Sequence, residues 1–391
     1  MPIAPQHRVY AGFFLFAFAL GALLSRLPDV QAHLQLDKAQ LGLTLIAMAL
    51  GSLVSLTLSS QWVARLGARV TALLTVIGTA FCYALIPWLP TAWMVFATLF
   101  VAGLLAGMLE INLNLEADRI EAMIGRRVMN RAHGMWSLGF FVTALVGAGV
   151  RQNGIPVVIH TGVAFAIVLT LSLILFPGMR NAPARPDMIA HEAGTHRIAL
   201  PNLGLLPLCI IAIAAFLIEG TGVDWSVIYM QDVFAVAPFV GGLSLTVFTA
   251  LMAIGRLFAD PVVERFGPRA VATTMLGVAA LGSLLIGVAP HPYLAIVGFG
   301  MIGLGCSCVY PLTVSAAAQR TDRPAEVNVA ALAQVSFVVF FLGPPLLGFV
   351  AEHWGIRISY LLVLPVIIAG LALAGTLKGR SGAGAAATAD A

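Results

Sequence analysis

The chain has 391 residues, of which 60% are hydrophobic and only 10% charged, and its formal net charge is +4. A water-soluble domain needs far more charge on its surface, so this composition excludes one and defines an integral membrane protein. The small basic excess reads as orientation in a membrane rather than as a nucleic-acid footprint.

Runs of about 20 apolar residues cross a hydrocarbon core of about 30 Å as helices. The sequence predicts twelve, at 8-25, 40-60, 70-89, 92-115, 133-151, 156-176, 203-223, 239-258, 270-289, 293-317, 326-349 and 356-377. The first run follows Arg8 and is read as an uncleaved span, because no clean cleavage site follows it. Basic residues gather on the cytoplasmic side of short loops. With the N-terminus inside, only Arg26, Lys38, Arg151 and Arg357 of the 21 Lys and Arg fall outside, so both termini are expected to be cytoplasmic.

The chain also matches itself at a shift of 200 residues. "LGLTL" at 41-45 meets "GGLSL" at 241-245, and "QWVARLGARV" from Gln61 meets "PVVERFGPRA" from Pro261. Pro90 meets Pro290, Gly103 meets Gly303, and Phe140 and Phe141 meet Phe340 and Phe341. The expected domains are therefore a six-helix bundle at 1-176, a polar cytoplasmic linker at 177-202, a second six-helix bundle at 203-377 and a disordered tail at 378-391. Parallel repeats of this kind place a cavity at their interface near the bilayer midplane.

Polar residues inside the spans are the candidate site. A charged side chain at a helix centre costs roughly 2.5 to 3.5 kcal/mol, so membrane acids face a cavity, find a partner or bind a proton. Glu110 and Glu219 are the proton-coupling candidates; a static pair with Arg26 or a backbone site is the plainer reading. Gly220 and Gly222 are expected to allow a break near the outer end of the seventh span, with Asp224 beyond it marking the outer mouth. Trp225 and Tyr229, one turn apart, either stack on a solute or belong to an interfacial aromatic belt. Asn112, Asn114 and Gln334 either recognise a polar solute or bond neighbouring helices, and Arg26 joins them as a substrate-binding candidate. His133 and Trp136 open the fifth span, where the histidine is expected to order the preceding connection.

"FLGPPLLGF" at 341-349 is expected to kink its helix. "HEAGTH" at 191-196 lacks the zincin spacing, and Cys82, Cys209, Cys306 and Cys308 lack metal-like spacing, so no metal or cofactor is expected. Without a phosphate-binding glycine loop, an ion gradient is the expected source of energy.

Six spans plus six with a polar linker resemble the major facilitator superfamily over essentially the whole chain. That resemblance implies an all-α membrane fold of twelve helices in two pseudo-repeats and a transporter, not an enzyme. The superfamily's loop between helices 2 and 3 is matched in part by "SQWVARLGARV", which keeps Arg65, Gly67 and Arg69. Its second copy, "GRLFADPVVERFGPRA", keeps Asp260, Arg265, Gly267 and Arg269. Such loops stabilise one state by charge pairs and helix-end contacts; enforcement of orientation is the alternative role. "RLPDVQAHLQLDKAQLGL", "AHGMWSLG", "EGTGVDWSVIYMQD" and "FLGPPLLGFVAE" resemble a bacterial inner-membrane subgroup of largely unassigned substrate. More distantly, "GMLEINLN" resembles the fucose-proton symporters, in which an acid followed four residues later by asparagine takes part in proton coupling. Glu110 and Asn114 match that pattern, whereas the helix 1 aspartate of that family is Leu24 here.

The expected function is proton-coupled symport of a small polar solute, sugar-like in class, by a monomer in the inner membrane. The alternatives are proton-driven efflux, whose helix 5 proline is missing from "FFVTALVGAGV", and a receptor or scaffold without transport, which has no need of intramembrane acids.

Overall fold

The computed structural model describes residues 3–125, 128–183, 200–323 and 325–377, apart from a few helix side chains, Asp260 among them. The histidines of "HEAGTH", most of the expected linker and the tail from 378 therefore lie outside the described residues. The described chain folds into α1 (Pro5–Leu24), α2 (Leu27–Leu34), α3 (Lys38–Leu58), α4 (Ser60–Leu85), α5 (Ala92–Ile124), α6 (Met129–Gln152) and α7 (Val157–Leu175). It continues with α8 (Leu206–Phe234), α9 (Pro238–Phe266), α10 (Pro268–Val288), α11 (Pro292–Cys306), α12 (Val309–Ala318), α13 (Ala325–Trp354) and α14 (Ile356–Leu373). Twelve segments are long and apolar enough to cross a membrane, α11 and α12 forming one of them and the short α2 none.

Local sequence sets several helix starts. Asp37 accepts from the Gln40 N–H while the Gln40 side chain accepts from the Asp37 N–H, a reciprocal cap that opens α3. Thr91 caps α5 through the Met94 N–H. The Glu121 carboxylate, near the end of α5, accepts from the Val128 and Met129 N–H groups at 2.8 and 3.2 Å, so one acid satisfies the next helix's orphan donors.

Arg8 near the start of α1 donates to the Leu175 carbonyl at the end of α7 at 2.9 Å. Arg320, just beyond α12, donates to the Gly204 carbonyl just before α8 at 2.8 Å. These ties gather one set of helix ends on the face that carries Pro5 and Leu377, here the terminal face; the opposite one is the distal face.

Apolar burial drives little helix association in lipid, so close contact between backbones matters more. A Cβ on Gly103 would stand 2.1 Å from the Met48 carbonyl oxygen, and one on Gly303 would stand 2.2 Å from that of Phe248. α3 meets α5, and α9 meets α11, at a separation only glycine permits. Gly107, Gly298, Gly300 and Gly305 also meet a neighbouring helix closely.

At the terminal face Gly67, with φ 71°, breaks α4 into two helical pieces, and Gly267, with φ 80°, separates α9 from α10. The first turn is held by three side chains. Asn181 accepts from the Ala68 N–H at 2.8 Å, Asn112 donates to the Ala68 carbonyl at 3.2 Å, and Glu116 accepts from the Ala182 N–H at 2.9 Å while pairing with Arg119.

On the second half's terminal face, Asp322 accepts from Arg320 at 2.9 Å, from Asn202 at 2.6 Å and from Asn328 at 3.3 Å. These donors, Arg320 first and Asn202 next, hold its carboxyl far below the usual carboxylate range. A depressed pKa means that the clasp contributes above the unfolded value of about 3.9 and is lost as pH falls towards the folded value.

Two outcomes are expected. Acidification below about pH 4, or Asp322→Asn at neutral pH, will speed hydrogen exchange of the amides from 200 to 205, while unchanged exchange would show the clasp to be idle. Gly103→Val will lower stability by about 1–3 kcal/mol or prevent folding. Thermal unfolding can be followed with a thiol-reactive dye, because Cys82, Cys209, Cys306 and Cys308 are all buried free thiols.

Candidate functional site

α8 is one unbroken helix through Gly220 and Gly222, running ten residues past Asp224 to Phe234. The expected break and the outer-mouth position of Asp224 are both corrected by this. Gly222 lies against Phe248, whose ring would be 2.3 Å from an added Cβ, and close packing there favours a straight helix. At 1.5 Å per residue Glu219 lies about 20 Å from either end of α8, so it is central rather than in the outer third. Asp224 is about 15 Å from the distal end.

Glu219 has a partner. The Arg256 guanidinium of α9 donates to both carboxylate oxygens at 3.2 Å, with the side chains 24% and 15% exposed for Arg256 and Glu219. The same guanidinium donates to the Ser307 carbonyl at 3.3 Å and lies 5.9 Å from the Trp136 ring centroid of α6. Arg256 lies within the membrane-length span Pro238–Ala259, as in the expected span 239-258, although the basic-residue count places it on the cytoplasmic side. It joins the Glu219 charge to the aromatic face of a helix in the other half of the chain. The expected static partner, Arg26, is elsewhere.

The halves also meet at the distal face. The Lys38 ammonium lies 3.4 Å from Asp232, and the Lys38 N–H donates to Glu352 at 3.0 Å. Arg151 bonds Asp29 and donates to Gln231 at 2.6 Å, and Gln152 accepts from the Phe239 N–H at 3.1 Å. Gly42 abuts the Pro344 carbonyl and Gly348 abuts the Lys38 carbonyl, so backbones of α3 and α13 touch at that end.

Several candidates are committed to packing. Arg26 is buried, bonded to Asp29 and to the Ile155 carbonyl at 2.8 Å, while one of its terminal nitrogens has no partner among the described residues. Asn112 is buried on the Gly67 turn. Tyr229 is fully buried, donates to the Ile286 carbonyl and packs edge-on against Phe299 and Tyr360. Trp225 is buried against Gly348. None of these four presents itself to a solute in this conformation.

Other candidates stay accessible. Glu110 is exposed although it lies about 20 Å inside the terminal end of α5, and Tyr310 of α12 is within its electrostatic reach across the halves. Asn114 donates to the Glu110 carbonyl at 2.9 Å. Gln334 is exposed, about 40° round α13 from Gly348, on the side that meets α3 further along. His133 is exposed and stacks on Phe13 at 4.9 Å; the preceding connection is ordered by Glu121 instead.

Of the loop residues, Arg65 lies 5.9 Å from the Trp62 ring and Arg265 lies 5.2 Å from Phe266. Arg69 is exposed and Arg269 comes near Gly375. The Asp260 side chain lies outside the described residues.

Arg256 and Glu116 are the residues that sequence reasoning missed. The signal for Arg256 was its nearness to the apolar run "LSLTVFTALMAIGRLF", and for Glu116 its six-residue spacing from Glu110.

Twelve membrane-length segments among the described residues, with an ion pair between two of them, define a polytopic membrane protein. The family profile described as Major Facilitator Superfamily matches residues 207–389. An uncharacterized transporter of Sinorhizobium fredii is 32% identical over 92% of this chain and 95% of its own length. Among solved structures, a D-xylose-proton symporter superposes with a TM-score of 0.71 at 14% identity, covering 95% of this chain and 96% of that one. The nucleoside transporter NupG superposes with 0.69 at 13% identity, covering 97% and 100%. The chain belongs to the major facilitator superfamily.

Glu219→Gln will leave Arg256 without its counter-charge and cost on the order of 3 kcal/mol, read as earlier thiol exposure on heating. Glu219→Gln combined with Arg256→Gln should recover part of that loss. Additive losses in the double variant would show that the two side chains are not coupled.

Proposed function

We propose that this protein is a secondary transporter of a small polar, sugar-like solute in a bacterial inner membrane, working by alternating access with proton symport. In this reading the terminal face is cytoplasmic, since most of the Lys and Arg fall on that side of the spans. Residues 1-176 and 203-377 are the moving halves of a monomer, related by an axis along the membrane normal and joined by the linker 177-202.

The observation that carries the proposal is an asymmetry. The halves are tied by ion pairs and backbone contacts at the distal face, whereas Glu110 remains exposed deep within the bundle. That is the arrangement of a carrier closed to one side and open to the other.

Glu110, with Asn114 one turn further on and Gln334 on α13, supplies donors and acceptors for a hydroxyl-rich solute. The superposed structures are named for a xylose-proton symporter and a nucleoside transporter, both of hydroxyl-bearing solutes. Glu219 and Glu110 carry the coupling in this scheme. A proton on Glu219 removes the charge that holds Arg256, and the freed guanidinium changes its contact with Trp136 of the opposite half. The loop arginines Arg65, Arg69, Arg265 and Arg269, with Asp260 and the glycine turns, steady the cytoplasmic ends between states.

Proteoliposomes with a trapped pH dye and an imposed pH gradient test this against a panel of monosaccharides and nucleosides. Solute entry with internal acidification is expected. Glu110→Gln and Glu219→Gln should each remove the proton flux and leave counterflow exchange largely intact. Coupled uptake surviving both replacements would sink the proton-site assignment, and solute efflux driven by proton entry would reverse the direction.

A further inference from the structure

Asp224 is the one acid of α8 that the scheme above leaves without a task. It projects from the middle of the helix into a narrow cleft against α13, lined by Phe216, Leu217, Val339, Gly343, Pro344 and Leu347. None of those side chains can donate a hydrogen bond, and Gly220 opens the cleft by having no side chain and no neighbour within 4 Å of where its Cβ would be. The space beside the carboxyl is about 10 Å³, the minimum for one water. No solute fits there, and a metal cation would find a single carboxylate where it needs several oxygens.

The charged groups named here on the packed elements are engaged elsewhere, Arg357 of α14 among them, which donates to the Gly287 carbonyl at 3.3 Å and lies over the Phe234 ring. On α9, Arg256 holds Glu219. On α14, Tyr360 comes within electrostatic reach of Asp224, but its hydroxyl donates to the Thr221 carbonyl at 2.9 Å. On α11 and α12 the nearest titratable groups are the buried Cys306 and Cys308 thiols and Tyr310, which stacks on Phe216 at 4.4 Å. On α13 the only titratable groups described are Glu352 and His353, at its distal end, where Glu352 binds the Lys38 N–H. On α2, Asp29 is held by Arg26 and Arg151, and Asp232 at the distal end of α8 faces Lys38.

The cleft has a second wall that matters. Pro344, which lines it, has its carbonyl close against Gly42 of α3 at the distal contact between the halves. A neutral carboxyl tolerates the apolar cleft and lets α13 lie close on α8 and α3. An ionised one demands water or donors and pushes the cleft open.

We propose that Asp224 is a protonation site that controls the distal closure: its neutral form seals α13 against α8 and α3, and its ionised form favours release. The step is a simple transfer. A carboxylate oxygen takes a proton from water when the cleft faces the distal side, and returns it to water when the cleft is next hydrated. It goes beyond the symport scheme, because Asp224 sets which side is closed whether or not a solute is bound.

The test needs no solute. Infrared difference spectra of the reconstituted full chain between acid and alkaline pH should show a protonated carboxylic C=O band of an apolar site. That band should vanish in Asp224→Asn, persist in Glu219→Gln and Glu110→Gln, and return shifted in Asp224→Glu. Spin labels at Ala32→Cys and His353→Cys, on the distal face of the two halves, report closure, the native thiols being buried. In the parent chain the distance should lengthen as pH rises; in Asp224→Asn it should stay short at every pH.

A band left unchanged by Asp224→Asn overturns the proposal, as does its absence from the parent chain. A distance that still follows pH in Asp224→Asn overturns the link to closure. Absent proton-coupled uptake with the band and the distance shift intact would defeat the symport reading alone.

Discussion

A full charge in the hydrocarbon slab must be answered there, and the Glu219–Arg256 pair does this near the midpoint of α8. Because the pair joins α8 to α9 and lies over a tryptophan of α6, neutralising charge and connecting the halves become one task. Helices that carried these charges singly would have to bring them to a water-filled space or leave the membrane. Around it, glycines bring α3 to α5 and α9 to α11, and buried hydroxyls tie neighbouring helices, Tyr229 to the Ile286 carbonyl, Tyr360 to that of Thr221 and Ser283 to that of Tyr360.

The distal and terminal faces solve different problems. At the distal face side chains of one half bind backbone and side chains of the other, with little space between α3 and α13. At the terminal face the strong contacts stay within a half, as in the Gly67 turn braced by Asn112, Asn181 and Glu116, and in the Asp322 clasp. The contacts described are internal to each half at the terminal face and run across the two at the distal face. That division suits bodies that rock as units.

The sequence made the spans legible because hydropathy is a one-dimensional signal. Gly67 and Gly267 stood out in the sequence only as matching positions of the two loop copies; their positive φ is a finding of the structure. Misplaced residues share a cause. The seventh span was cut short at Asp224 because charge normally marks the edge of a membrane helix; only the partner of a charge reveals that it lies inside. Tyr229 and Trp225 could not be sorted by sequence, because an aromatic facing a solute and one facing its own bundle have the same neighbours along the chain. Asn112 and Asn114, two positions apart and about 160° round the helix, were offered the same role, yet one anchors a turn and the other borders Glu110.

Lys38 has a consequence of its own. Its main-chain N–H is bound to α13 through Glu352 and its ammonium faces Asp232 of α8, so a single residue moors the first half to two helices of the second. Under the alternating-access proposal, opening at that face has to release both contacts, the backbone bond to Glu352 and the ion pair with Asp232.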